Sequence, residues 1–217
     1  MATSGFRLAR IGIFDPDTEN ITKDNIFTIE PSKKGSVVSA TISNIAPTSN
    51  PIYGSDEEWK IQGKGTGAIS VAFLANTISK KDRQKMLGMT TYEGGFASIG
   101  KETLSPYCVF EMISHDAQDE KKGARIALTK GTFHLTSVAP KTNTNTTVYD
   151  QDQLTFTAEA RQSDGETYFE AVEDEDFDLT KWEQKLYGMP VTISDGTASD
   201  QSGAGASGTP KVTEGDK

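Results

Sequence analysis

In the stretch TGAISVAFL, Ile69, Val71 and Phe73 alternate with Ala68, Ser70 and Ala72. A period of two marks a β-strand with one face turned inward. The pattern recurs in FRLARIGIF (Phe6–Phe14), in GSVVSATIS (Gly35–Ser43), where Val38, Ala40 and Ile42 share one face, and in QLTFTAEA (Gln153–Ala160). Tyr107–Ile113 is apolar at both parities and predicts a strand covered on both sides. ARIALTKGTFHLTSV predicts two antiparallel strands, Ala124–Thr129 and Thr132–Val138, joined at Lys130-Gly131. TYFEAV (Thr167–Val172) and MPVTI (Met189–Ile193) are shorter candidates, and Asp164-Gly165 is a natural hairpin turn.

The period changes in two places. In ISKKDRQKMLGM, Ser79 caps a short helix, Asp82 stands near its positive end and Gly88 closes it. In LTKWEQKLYGM, Thr180 with Glu183 forms a capping box and Gly188 closes the helix. The two segments match at cap and end, through duplication or because cap chemistry imposes the same ends on any short helix. Between the strands at 35–43 and 67–74 lies Asn44–Trp59, rich in Pro, Asn, Ser and Gly, which predicts a long loop. It is too short of large apolar groups for a core of its own, yet carries Ile45, Pro47, Ile52, Tyr53 and Trp59. Such residues call for a partner. Residues 1–193 are expected to form one domain and 194–217 a flexible, low-complexity segment whose one bulky apolar residue is Val212.

Composition narrows the chemistry. The 217 residues carry a net charge of −9. Residues 1–140 hold 16 Lys+Arg and 15 Asp+Glu, a balance of +1, and residues 141–217 hold 6 and 16, a balance of −10. An acidic chain is poorly suited to grip duplex DNA, because that affinity comes from neutralising phosphates. One cysteine, Cys108, excludes an internal disulfide and reads as a small buried hydrophobe. No apolar run reaches the length of a membrane span, and MATSGFRLARIG lacks a signal segment, so neither insertion nor export by the general route is expected.

Candidate active chemistry is sparse. Gly63-Lys64-Gly65 precedes a strand rather than a helix, so it is not a phosphate loop. His115 and His134 have no metal-ligand spacing, and EDEDFD (Glu173–Asp178) lacks the pattern of a calcium loop. No catalytic residue, metal or cofactor is expected.

The order of motifs resembles the major tail proteins, or tail tube proteins, of long non-contractile tailed bacteriophages of Gram-positive hosts. The resemblance rests on GFRLARIGIF, IYGSDEEWKIQGKGTGAISVAFLANTISKKDRQKMLGM, YEGGFASIGKETLSPYCVFEMIS, KGARIALTKGTFHLTSV and TNTTVYDQDQLTFTAEAR, with WEQKLYG beyond. It implies a mainly-β sandwich or rolled sheet with short flanking helices and no enzymatic activity. Hexameric rings would close an inner β-barrel around a DNA channel and stack through the loop at 44–59. The implied partners are further copies of the chain, a tape measure protein, tail terminator and distal tail proteins, and double-stranded DNA passing without specific binding. The implied location is the virion, after assembly in the host cytoplasm. A tube of a tail-like bacteriocin or injection device, and a carbohydrate-binding or adhesion module, stay open beside it. If the strands at 67–74 and 153–160 line the channel, alternation turns Ser70, Thr155, Thr157 and Glu159 toward it and Phe156, Ala158 and Ala160 away.

Overall fold

In a computed structural model, residues 2–16, 18–33, 35–47, 50–54, 57–62, 65–140, 142 and 150–191 are described, with the backbone alone for 33 and 50–62. Strands β1 (Thr3–Phe14), β2 (Ile21–Ile29) and β3 (Ser36–Ser43) lead into a small hairpin, β4 (Asn50–Gly54) and β5 (Glu57–Gln62). Then come β6 (Ser70–Thr77), α1 (Lys80–Met86), a second hairpin of β7 (Thr90–Tyr92) and β8 (Phe96–Ser98), and β9 (Tyr107–Asp116). The chain continues through β10 (Gly123–Ser137), β11 (Asp152–Ala158), β12 (Tyr168–Val172) and α2 (Leu179–Tyr187).

One antiparallel sheet runs in the order β2-β1-β9-β10-β11-β6-β3, with β12 paired to β10. It folds over on itself, so that Val71 and Phe73 of β6, Phe156 of β11 and Ile42 of β3 pack in one cluster with Ile11 of β1 and Phe110 of β9. Phe73, Phe110, Phe133 and Phe156 form its centre, with edge-on or tilted rings 4.7–5.2 Å apart between successive neighbours, a geometry aromatic quadrupoles favour. A second cluster lies on the outer side of β1, β9 and β10, where Phe14, Val109 and Ala127 meet Leu186 and Tyr187 of α2. The double cover expected for Tyr107–Ile113 is therefore present. Cys108, Phe110 and Met112 face the sandwich core, and Val109 faces α2.

The expected turn at Lys130-Gly131 is absent. Gly123–Ser137 is one continuous strand of 15 residues with an irregularity between Leu128 and Gly131. Before it, Leu128 packs into the sandwich core while Ala127 faces α2; after it, Phe133 packs into the same core. The core-facing parity changes from even to odd, as a bulge requires. The partner changes too: residues 124–128 pair with β12, and 131–137 pair with β11. β11 and β12 thus lie end to end along one edge of β10. Asp164-Gly165 makes a turn between them, with Gly165 at φ 75°, although the two strands do not pair with each other.

Other expectations are corrected locally. The segment 44–59 is not irregular throughout, since Asn50–Gly54 and Glu57–Gln62 pair as a hairpin. In β3 a register shift between Val37 and Ser39 leaves Val38 40% exposed while Ala40 and Ile42 keep to the core side. Residues 189–191 form no strand; Val191 is buried instead in the second cluster, and Ile193 lies outside the described residues. Ala160 is exposed rather than core-facing, because β11 ends at Ala158. Ser79 makes no side-chain cap bond to α1, although Gly88 does adopt φ 60°. The cap of α2 is Asp178, whose carboxylate accepts from Lys181 N–H at 3.1 Å, and Glu183 is buried rather than capping. Residues 194–217 lie outside the described residues.

The bulge depends on Gly131. A Cβ there would stand 2.3 Å from the Thr157 carbonyl oxygen and 2.5 Å from the Phe156 ring. Gly131→Ala is expected to destabilise the folded chain by about 2–4 kcal/mol. Urea unfolding checks this through a lower midpoint at unchanged slope.

Candidate functional site

The outward face of β3, β6, β11 and the second half of β10 follows from the ladder registers. Ser43, Ser70, Thr157 and Thr132 stand in one row; Thr41, Ala72, Thr155 and His134 in the next; and Ser39, Leu74, Gln153 and Ser137 in the third. None of these residues is Asp, Glu, Lys or Arg. Hydroxyls dominate the face, and its polar groups are tied laterally: Thr132 Oγ1 lies 2.9 Å from His134 Nε2, and the Ser137 hydroxyl donates to Gln153 Oε1 at 2.8 Å. The alternate residues Val71, Phe73, Leu154, Phe156 and Phe133 fill the core behind. Ser70, Thr155 and Thr157 are therefore brought together. Glu159 stands just past the end of β11, exposed, with its N–H donating to the Lys130 carbonyl at 2.9 Å. It is an acidic group at the margin of the neutral face.

Among the described residues both lateral limits of this face are open. The strand order ends at β3. On the far side the β9 ladder along β10 stops at the pair Thr132–Tyr107, so among the described residues no strand covers that edge of 133–137. Unpaired edges of this kind invite another chain.

The connection from β3 to β6 leaves from the row containing Ser43 and Ser70. Ile45 is 41% exposed and Pro47 half-buried. Ile52, Tyr53 and Trp59 belong to the hairpin strands β4 and β5, but their side chains lie outside the described residues. Gly67 anchors the return: its N–H donates to Ile45 O at 3.2 Å, and a Cβ on it would stand 2.4 Å from Asn44 O.

Behind the neutral face, a polar cluster that sequence periodicity did not reveal fastens α2 to the sheet. The Glu111 carboxylate accepts from Arg10 at 3.3 Å, Arg125 at 3.0 Å, Trp182 Nε1 at 2.7 Å and the Tyr187 hydroxyl at 2.8 Å. Glu183 accepts from Arg10 at 3.2 Å and from Val191 N–H at 2.7 Å. Burial raises the carboxyl of Glu183 and the phenol of Tyr187 above their ordinary ranges. Tyr187 lies directly over Gly12, where a Cβ would come 3.0 Å from its ring. Buried charges of alternating sign with satisfied hydrogen bonds orient an element; they leave no accessible group for chemistry.

A sequence model of phage tail tube proteins matches residues 1–192. The chain belongs to the phage tail tube protein family. No curated protein matches it. This tail tube protein is a structural component of a tailed phage rather than an enzyme, which agrees with the sparse candidate chemistry of its sequence. Among the described residues no group of three or more His, Cys, Asp or Glu side chains could hold a metal ion, and no helix is long and apolar enough to cross a membrane. Cys108 is fully buried, and burial pushes its thiol well above the ordinary range.

The turn after Glu159 is pinned by Glu19. Burial alone would raise this carboxyl, but the Gln162 N–H, the Lys130 ammonium and the Ser163 N–H outweigh it and hold the pKa at about 2 against an ordinary 4.5. The folded value lies below the unfolded one, so the contribution is complete above pH 4.5 and is lost as pH falls toward 2. The tail tube protein is thus expected to exceed Glu19→Gln in stability at neutral pH, with the difference closing across that window. Denaturant unfolding of both proteins at several pH values measures it.

Proposed function

We propose that the chain is the major subunit of the tail tube of a long non-contractile tailed phage of a Gram-positive host. Copies close into hexameric rings, rings stack, and the neutral face of β3, β6, β11 and β10 lines the channel through which double-stranded DNA passes. The observation that carries this reading is the coincidence of that face with an open edge on each side of it. A lining without cations releases no counterions on meeting DNA and so does not hold it. Hydroxyls keep the wall wet, and Glu159 at its margin repels phosphate.

Strand direction supports the closure. β10, β11, β6 and β3 alternate in direction, so β3 runs antiparallel to β10. Rotation about a channel axis preserves each strand's direction along that axis. The β3 edge of one copy therefore meets the β10 edge of the next as an antiparallel pair, and a head-to-tail contact of this kind closes a ring. Stacking falls to the connection at 44–59 with its hairpin. The tape measure protein occupies the channel during assembly in the host cytoplasm, and tail terminator and distal tail proteins cap the two ends.

Electron microscopy of the purified protein tests the assignment. Tubes or rings with an open lumen are expected, and a protein that stays monomeric at all concentrations while absent from purified tails would overturn it. Replacing Asn50–Gln62 by a short Gly-Ser link is expected to leave folded subunits and rings that no longer stack, as read by size in solution and by microscopy. Thr155→Lys adds one cation per subunit to the wall. Tubes should still form, while DNA release slows in a salt-dependent way and infectivity falls by about tenfold or more.

A further inference from the structure

Leu104 is the most exposed large apolar residue among those described, at 86%. It does not sit on a loose loop. Its carbonyl oxygen packs where a side chain on Gly88 would be, Pro106 follows it against the same glycine, and a turn precedes it in which Gly100 N–H donates to Thr103 Oγ1 at 2.9 Å and Thr103 N–H to Gly100 O at 3.1 Å. The backbone therefore presents the isobutyl group as a fixed knob. Leu104 borders a cleft that also includes Leu87, Tyr107, His134 and Leu135, so the knob stands beside the open edge of β10. Leu87 and Leu135 belong to the sandwich-core side of that edge.

A recess with an apolar floor lies at the other limit of the same sheet. Between β3 and β1 the sandwich is not fully closed, and a groove of about 220 Å³ has Phe6, Ala40, Ile42, Met112 and Ile126 in its lining, with the hydroxyl residues Thr3, Ser39 and Ser114 beside them. An apolar cavity of about 150 Å³ is large enough to take a benzene ring, so this groove has room for a leucine side chain. Ala40 and Ile42 are the β3 residues turned to the core side.

We infer that Leu104 of one copy fills the groove beside β3 of the next copy in the ring. The inference rests on the ring closure proposed above and adds a contact which that closure does not itself require. When β3 continues the sheet past β10, its core-side residues Ala40 and Ile42 come to the same side as Leu135. That side is where the Leu104 segment stands. The knob and the hole are on opposite limits of one subunit, so a single subunit cannot join them, and a head-to-tail ring joins all of them at once. The contact closes the open mouth of each sandwich and covers the most exposed leucine with one interaction.

The test mixes two singly substituted chains, Leu104→Cys and Ala40→Cys, each in a Cys108→Ser background, and oxidises the mixture after assembly. Only a contact between different copies can link them. A disulfide-linked dimer in rings or tubes, and none in either chain alone, is the expected result. Rings that form without the link overturn the knob-and-hole contact and leave ring closure standing. A Cys108→Ser parent that folds yet never forms rings overturns the ring reading, and the contact with it. In parallel, Leu104→Asp is expected to raise the concentration needed for assembly by about tenfold or more while Leu104→Met leaves it near the parent value. Equal assembly of the two would also overturn the proposal.

Discussion

The bulge in β10 is the constraint on which the rest of the subunit depends. With strict alternation, a strand that sends Ile126 and Leu128 into the sandwich would send Thr132 and His134 after them. One irregularity between Leu128 and Gly131 reverses this, so Phe133 joins the core and Thr132 and His134 turn outward. The same irregularity lets one edge of β10 serve two partners, β12 before it and β11 after it. Half of the strand thus belongs to a doubly covered region under α2, and the other half to a sheet with one naked face. Gly131 is glycine because the Thr157 carbonyl and the Phe156 ring occupy the space a side chain would need.

The region under α2 combines apolar cover with a charged cluster, and the two do different things. Leu186 and Tyr187 supply buried apolar surface, which contributes most of the free energy of docking. Arg10, Glu111, Arg125 and Glu183 contribute little net stability, since removing such charges from water costs about as much as their attraction returns. Their geometry nonetheless orients the helix: Trp182 and Tyr187 both donate to Glu111, and Gly12 leaves the space that the Tyr187 ring fills.

Much of the sheet was legible in the sequence, because Ile69–Leu74 and Gln153–Ala158 alternate cleanly and their polar residues do share a face. Strand β2 was not legible: in ITKDNIFTI four polar residues follow one another and no period emerges. Lys130-Gly131 carried the composition of a turn, and composition does not distinguish a reversal from a close approach of another strand. The hairpin inside 44–69 was hidden by its Pro and Gly content. Arg10 and Glu183 illustrate a different limit. Their partners lie 101 and 173 residues along the chain, and no local pattern tells a charged residue that will be buried from one that will be solvated. The likeness of LTKWEQ to a capping box misled for that reason, since Glu183 faces the sheet.

The burial of Cys108 has a consequence for the covalent chemistry of the folded chain. The chain's single sulfhydryl is walled off beneath the sheet, and only an accessible thiolate exchanges or oxidises readily. A change from reducing to oxidising surroundings therefore forms no disulfide through this sulfur while the chain stays folded. A folded chain of this design is protected from disulfide cross-linking for as long as its sheet stays closed over the sulfur.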